Sequence, residues 1–195
     1  MFSTKIQKLF FNYSTERKSS LNKSTLNNPL FELLIKEVMA SKTVSTKLRE
    51  MVVAHAMGLE HNQSVNGHDA MDQFGTAWEI KTEQSIAKLS GVSTWHYSSP
   101  ENMNLYLKQR VLQAGFIDGI LAYIVSFSFK EARILERLME TYKRNKIKDG
   151  YKYAVSSWGK LKSRKIHFLN KKYIIPNHMT KELIRILTTS RQELI

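Results

Sequence analysis

Apolar residues follow a helical period through much of the first third of the chain. Within residues 46–59 they recur every three to four positions and cover much of the circumference, which predicts a well-buried helix. A helix is also predicted at 29–41, where an Asn-Pro pair marks its start, and a short basic helix at 6–11. Residues 12–28 are almost entirely polar, so we expect a linker there.

The period changes to that of β-strands further along. Short apolar runs on either side of the turn-forming residues 72–75 predict a β-hairpin that spans 68–82. Side chains alternate along a strand. We therefore expect Glu79 and Lys81 to project from one face of the hairpin while Ile80 points into the core.

The second half of the chain alternates between helical and strand patterns. It predicts a helix from about residue 98 to 114, a central strand at 116–129, a helix at 130–148, two or more strands within 151–175, and a helix at 180–187. This order predicts an α/β domain built on a mixed sheet. No glycine-rich phosphate loop follows any predicted strand, which argues against a doubly wound nucleotide-binding fold.

Composition and charge narrow the classes of function. The chain has 195 residues, of which 42% are hydrophobic, enough for a real core. Lys and Arg number 30 against 17 Asp and Glu, a net charge of +13 that favours a polyanionic partner, most commonly nucleic acid. No apolar run is long enough to span a membrane.

Cysteine is absent, which excludes disulfides, thiolate metal sites and a cysteine nucleophile. This absence fits a reducing compartment, and we expect a cytoplasmic protein of bacterial or phage origin. The basic, serine-rich N-terminus leaves an organelle transit peptide as the alternative.

Acidic residues in this basic chain gather on the predicted hairpin. If Asp69 and Glu79 meet across neighbouring strands, their carboxylates and the backbone carbonyl of Ile80 offer the oxygen ligands that Mg²⁺ prefers. Lys81 would place an amine beside them, suited to activating water or to stabilising charge on a phosphate. These residues together indicate a metal-assisted phosphodiesterase.

The spacing of these residues resembles that of a known family. Asp69, nine further residues and then Glu79-Ile80-Lys81, preceded by a helix that carries Glu50, is similar to the PD-(D/E)XK nuclease superfamily. His68 stands where the family name has proline. Residues 49–82 carry all of the resemblance.

The resemblance implies a restriction-endonuclease-like fold, with a central mixed β-sheet flanked by helices. That domain would occupy residues 29–195, behind an N-terminal extension at 1–28 with a helix and a polar linker. The resemblance also implies hydrolysis of phosphodiester bonds that depends on Mg²⁺, for which Mn²⁺ should substitute.

The resemblance also implies a role for each site residue. Asp69 and Glu79 would be metal ligands, Lys81 the catalytic lysine, and Glu50 a helix carboxylate that adds to the metal site. The alternative for Glu50 is a surface ion pair with Lys47 or Arg49, and Glu37 is its rival as the helix acid. The alternative for Glu79 and Lys81 is an exposed ion pair on a solvated face.

Two kinds of segment are candidates for DNA contacts. The polar and aromatic residues after the hairpin form a predicted loop that would approach a groove or stack on a base, with a packed loop as the alternative. Two cationic stretches would contact phosphates, with a solvated helix end as the alternative. The candidates are Ser93, Thr94, Trp95 and His96 in the loop, and Lys143, Arg144, Lys146, Lys160, Lys162, Arg164 and Lys165 in the cationic stretches.

The sequence is best interpreted as that of a Mg²⁺-dependent endonuclease of restriction type that cuts double-stranded DNA. Cutting both strands needs two sites, so we expect a homodimer. The alternatives are a nuclease that acts on branched DNA or RNA, and a non-catalytic basic DNA-binding protein with the same fold.

Overall fold

The computed structural model describes residues 44–62, 68–85, 88–96, 100–145 and 151–189. The predicted N-terminal helices and linker, the domain boundary after residue 28, Glu37 and Lys146 lie outside these ranges.

A mixed sheet of six strands forms the centre of the structure. Its strands are β1 (Glu60–His61), β2 (Ala70–Met71), β3 (Ala77–Ser85), β5 (Arg110–Ile117), β6 (Ile120–Ser128) and β8 (Lys165–Leu169), in the spatial order β1-β2-β3-β5-β6-β8. Among these six described strands, only β3 and β5 pair in parallel. The remaining strands, β4 (Val92–Trp95) and β7 (Tyr151–Ala154), form a separate antiparallel ribbon.

Helices cover both faces of this sheet. They are α1 (Val44–Ala56), α2 (Pro100–Tyr106), α3 (Ile134–Asn145) and α4 (Lys181–Thr188), with 3₁₀ turns at Val155–Lys160 and Lys171–Tyr173. No helix in the described part of the chain is long and apolar enough to cross a membrane. The predicted mixed α/β class, with a central mixed sheet flanked by helices, is therefore confirmed.

Two hydrophobic cores form because alternate residues of the central strands face opposite ways. On one face, Leu112 and Phe116 of β5 pack with Ile80 and with Val52 of α1. On the other face, strand residues such as Phe127 pack with side chains from α3, α4 and the 3₁₀ turns. Strand β5 is buried on both sides, which explains why its apolar residues do not alternate with exposed polar ones.

Two predictions for residues 98–129 are wrong. The helix ends at Tyr106, and Arg110–Ile117 is the strand β5, because this segment pairs in the middle of the sheet with β3 and β6. The predicted single strand at 116–129 is the end of β5 followed by β6. Asp118 and Gly119 form the turn with φ of 49° and 74°, the positive values that a two-residue hairpin loop requires.

Other elements differ from prediction in extent or pairing. Helix α3 begins at Ile134 rather than at residue 130, and most of the predicted loop at 93–96 belongs to the strand β4, which ends at Trp95. The strands predicted within 151–175 are β7 and β8, and β7 joins β4 while β8 joins β6. The final helix matches its prediction, and Thr180 caps it by accepting a hydrogen bond from the Leu183 amide.

Substitution of Gly115 by alanine should destabilise the fold, because a Cβ there would overlap the Tyr123 ring and lie 2.7 Å from Leu89 Cδ1. Overpacking of this kind costs about 1–3 kcal/mol, or several degrees in the melting temperature of a domain this size. The matched control is Gly159→Ala, whose Cβ would meet only the flexible end of Ile186 at 3.2 Å. Equal melting temperatures for the two variants would contradict this account of β5 packing.

Candidate metal centre

The site lies next to Ala70, the first residue of β2. Beyond this residue, the edge of β3 has no strand partner from β2. The last residue pair of the two strands is Ala70 with Trp78. Beyond it, the Asp69 amide donates to the Trp78 carbonyl at 3.0 Å, and the Asp69 carboxylate accepts from the Ile80 amide at 2.8 Å. The carboxylate thus takes the place that a neighbouring strand would occupy, and its position is fixed by the backbone.

The backbone carbonyl of Ile80 faces the same gap as this carboxylate. In a β-strand the N–H and C=O of one residue point to the same side. Because the Ile80 amide points to Asp69, its carbonyl oxygen is directed to the same side. The side chain of Ile80 is buried in the core that contains α1, as predicted.

Glu79 and Lys81 project from the opposite face of β3 and form an ion pair. Glu79 is only 4% exposed, so the pair is not the solvated surface bridge that was the alternative interpretation. The Lys81 ammonium also lies 4.8 Å from the centroid of the Trp95 ring of β4, a cation–π contact. Burial raises the pKa of Glu79 to about 7, with Asp69 adding to the rise and Lys81 opposing it.

Helix α1 brings Glu50 to the same edge of the sheet. Glu50 is buried, and its Oε2 lies 2.9 Å from Lys47 Nζ and 3.9 Å from His61 Nε2. Burial alone would raise the pKa of Glu50, but His61 and Lys47 outweigh it, and the net pKa is lowered. Lys47 is therefore the partner of Glu50, as one alternative predicted, but only Lys47 is partly exposed, whereas Glu50 is buried beside Asp69.

Arg49, the other alternative partner of Glu50, reaches away from the site. Its guanidinium donates to Thr82 Oγ1 at 3.2 Å and to the side chain of Gln84, on the face of β3 that α1 covers. These bonds tie α1 to β3 beside the site. They hold Glu50 in place without bringing Arg49 into the acidic cluster, which consists of Glu50, Asp69 and Glu79.

The charge of Glu50 acts on the other two carboxylates. Burial raises the pKa of Asp69 and the charge of Glu50 raises it further, while the Ile80 amide and the two lysines oppose the rise. Burial also raises the pKa of Glu79, and the charges of Asp69 and Glu50 add to that rise. A cation bound among these carboxylates would oppose both rises.

The donor set fits Mg²⁺, which is bound by one or two carboxylates together with waters and substrate oxygens. Within the described ranges, no group of three or more His, Cys, Asp or Glu side chains is arranged to hold a metal ion. The ammonium of Lys47 instead lies between Glu50 Oε2 and Asp69 Oδ1, at 2.9 and 3.8 Å. Because the Lys47 side chain is 47% exposed, it can swing into solvent and leave this position to a metal.

The structure thus brings Glu50, Asp69, Glu79 and Lys81 together from three elements. Asp72 lies in the turn as predicted, where its Oδ1 accepts from the amides of Phe74 and Thr76 at 2.9 and 2.8 Å.

Sequence reasoning did not place three nearby residues in the site. The sequence predicts Lys47 only as a surface partner of Glu50, and His61 is not among the predicted site residues. Burial raises the pKa of Tyr106 in α2, with the charge of Glu79 adding to the rise and Lys81 opposing it, and Tyr106 in turn helps to raise the pKa of Lys81. No local pattern marks these positions, because β1 is only two residues long and α2 is distant in sequence.

The predicted DNA contacts differ in exposure. Thr94 and His96 are exposed, whereas Ser93 and Trp95 are buried and bonded to each other through Trp95 Nε1. Arg164 is half-buried. The exposed cations are Lys143, Arg144, Lys160, Lys162 and Lys165.

No protein-family model matches the chain, and no curated protein is similar to it in sequence. Support for a function therefore comes from the residues and their geometry.

Stability without divalent cations should fall with rising pH because of Glu79. Its pKa of about 7 in the folded protein, against an ordinary 4.5, means that the folded state holds the proton more tightly. This contribution is complete below pH 4.5 and lost as pH rises through 7. In EDTA, the free energy of unfolding measured with urea should decrease by as much as about 3 kcal/mol as the pH rises, and Glu79→Gln should remove this decrease.

The matched control for this experiment is Glu136→Gln, which changes an exposed side chain of α3 and should keep the wild-type pH dependence. The same pH dependence in wild type and Glu79→Gln would contradict the assignment.

Mg²⁺ should stabilise the folded protein through Asp69. At about 100 times the dissociation constant, one site adds about 2.7 kcal/mol, or roughly 5–10 °C in melting temperature. Asp69→Asn, which keeps an acceptor for the Ile80 amide, should lose this shift. Lys47→Met should bind Mg²⁺ several-fold more tightly because the competing ammonium is gone. An equal thermal shift in wild type and Asp69→Asn would place the metal elsewhere.

Proposed function

We propose that the protein is a Mg²⁺-dependent DNA endonuclease of the PD-(D/E)XK superfamily. The observation that carries the proposal is the meeting of Glu50, Asp69, Glu79 and Lys81 at the edge of β3, with Asp69 fixed by the Ile80 amide. Neither the spacing in sequence nor the positive charge requires these side chains to converge. The active site of a nuclease, by contrast, requires it.

Asp69, Glu79 and the carbonyl of Ile80 would hold the metal, with Glu50 reaching it directly or through water. When bound, Mg²⁺ stabilises charge on the phosphate and lowers the pKa of water. The residues of the chain fix the geometry of these ligands, and the buried surroundings strengthen every electrostatic contact in the site.

Lys81 is best suited to act as a cation. Burial alone would lower its pKa, but Glu79 and Asp69 outweigh burial and the net pKa is raised. The Trp95 ring beneath it also favours the charged form. A protonated Lys81 can orient the attacking water and stabilise the phosphate as water attacks in line and the 3′ oxygen leaves.

Double-stranded DNA is the substrate we propose, because a net charge of +13 favours a polyanion. Cutting both strands would use two copies of the site in a homodimer. A nuclease for branched DNA or RNA would use the same residues, so substrate choice is an outcome of the experiment.

The test is incubation of purified protein with supercoiled plasmid, a four-way junction and a structured RNA, each with Mg²⁺ or EDTA. We expect cleavage of plasmid that requires Mg²⁺ and falls about 10²–10³-fold or more in Asp69→Asn and Lys81→Ala. Lys181→Ala, an exposed lysine on α4 far from this cluster in sequence, is the control and should cleave like wild type.

Mg²⁺-dependent cleavage of only the junction or only the RNA would replace the proposed substrate. DNA binding without cleavage of any of the three would contradict the nuclease and favour a non-catalytic DNA-binding protein.

A further inference from the structure

A concave site lies between α3 and β7. It is a cavity of about 470 Å³ lined by Arg137, Glu140, Thr141, Arg144 and Tyr151. Glu140, Thr141 and Arg144 lie three, four and seven positions after Arg137, so the four residues form one stripe along α3. This stripe faces the first residue of β7.

The cations of this pocket differ in how far they are neutralised. Arg137 pairs with Glu140 at 3.1 Å through one guanidinium nitrogen, which leaves the rest of its donor fork available. Arg144 forms no ion pair within the described part of the chain. The pocket therefore presents an uncompensated guanidinium, a second one oriented by a carboxylate, and a tyrosine at its wall.

The ribbon connects this pocket to the acidic cluster. Tyr151 pairs directly with Trp95 across the two strands, and the Trp95 ring lies 4.8 Å from Lys81 Nζ. Paired residues in a sheet are roughly 5 Å apart, so the pocket lies on the order of 10–15 Å from the Lys81 ammonium. With a rise of about 3.4 Å per nucleotide, that distance corresponds to a few nucleotides along one strand.

We infer that the pocket between α3 and β7 binds a backbone phosphate of the nucleic acid, a few nucleotides from the phosphate at Lys81. The inference rests on the proposed function in taking nucleic acid as the ligand. Arginine forks match the geometry of phosphate oxygens and hold them in two parallel hydrogen bonds. The pocket would fix the register of the strand across the ribbon.

The first experiment compares DNA binding in EDTA, where no cleavage occurs, by fluorescence anisotropy on a duplex of about 30 base pairs over a range of salt. Arg144→Gln should weaken binding about 5–20-fold and reduce the salt slope by about 1. The matched control is Arg133→Gln, which removes an exposed arginine of the same region that pairs with Glu136 and does not line the pocket. Its affinity should stay within about twofold of wild type.

Equal losses in Arg144→Gln and Arg133→Gln would overturn the inference, because the pocket would then contribute only general charge. Circular dichroism and melting temperature confirm that both variants are folded.

The second experiment replaces single phosphates of the duplex by neutral methylphosphonates. At one position, the neutral methylphosphonate should weaken DNA binding by the wild-type protein about as much as Arg144→Gln does. The same duplex should bind Arg144→Gln no more weakly than the unmodified duplex does, since the losses from removing the two partners of one contact are not additive. Additive losses at every position would overturn the inference.

Wild-type cleavage with Mg²⁺ is scored separately. If the protein cleaves DNA but the losses of affinity are additive at every phosphate, only the inference about the pocket is contradicted. If the losses are non-additive at one phosphate but the protein does not cleave, only the proposed nuclease activity is contradicted.

Discussion

The hydrogen bond from the Ile80 amide to the Asp69 carboxylate is the contact on which the arrangement of the site depends. It ends the pairing of β2 with β3 and fixes a charged group where a strand residue would otherwise lie. The same amide belongs to a residue whose side chain anchors β3 in the core against α1. A single strand position therefore couples the hydrophobic packing of the fold to the position of a candidate metal ligand.

Side chains on both faces of β3 contribute to the arrangement of the site at its edge. On one face Arg49 joins α1 to Thr82 and so positions the helix that carries Glu50. On the other face Lys81 pairs with Glu79 and lies over the ring of Trp95, a core residue. Burying acids in this way costs stability, as the raised pKa of Glu79 shows. The cores on the two faces offset that cost, and a bound cation would reduce it.

Local signals account for the parts of this site that the sequence predicts. Asp72 and Gly75 mark the turn, and strand alternation separates Glu79 and Lys81 from Ile80. Strand β5 escaped prediction because burial on both faces removes its alternation, although Asp118-Gly119 is itself a hairpin signal. The contacts of Lys47 and His61 with Glu50 depend on tertiary packing, which no spacing in the sequence encodes.

A crystal grown with Mn²⁺ tests the central claim most directly, because anomalous scattering locates this ion independently of any assay. An anomalous peak about 2.0–2.3 Å from oxygens of Asp69 and Glu79 and from the Ile80 carbonyl, with Lys47 displaced from Glu50, is the predicted result. Mn²⁺ bound only at other positions, with Lys47 still between Glu50 and Asp69, would contradict the account of this edge as a metal centre.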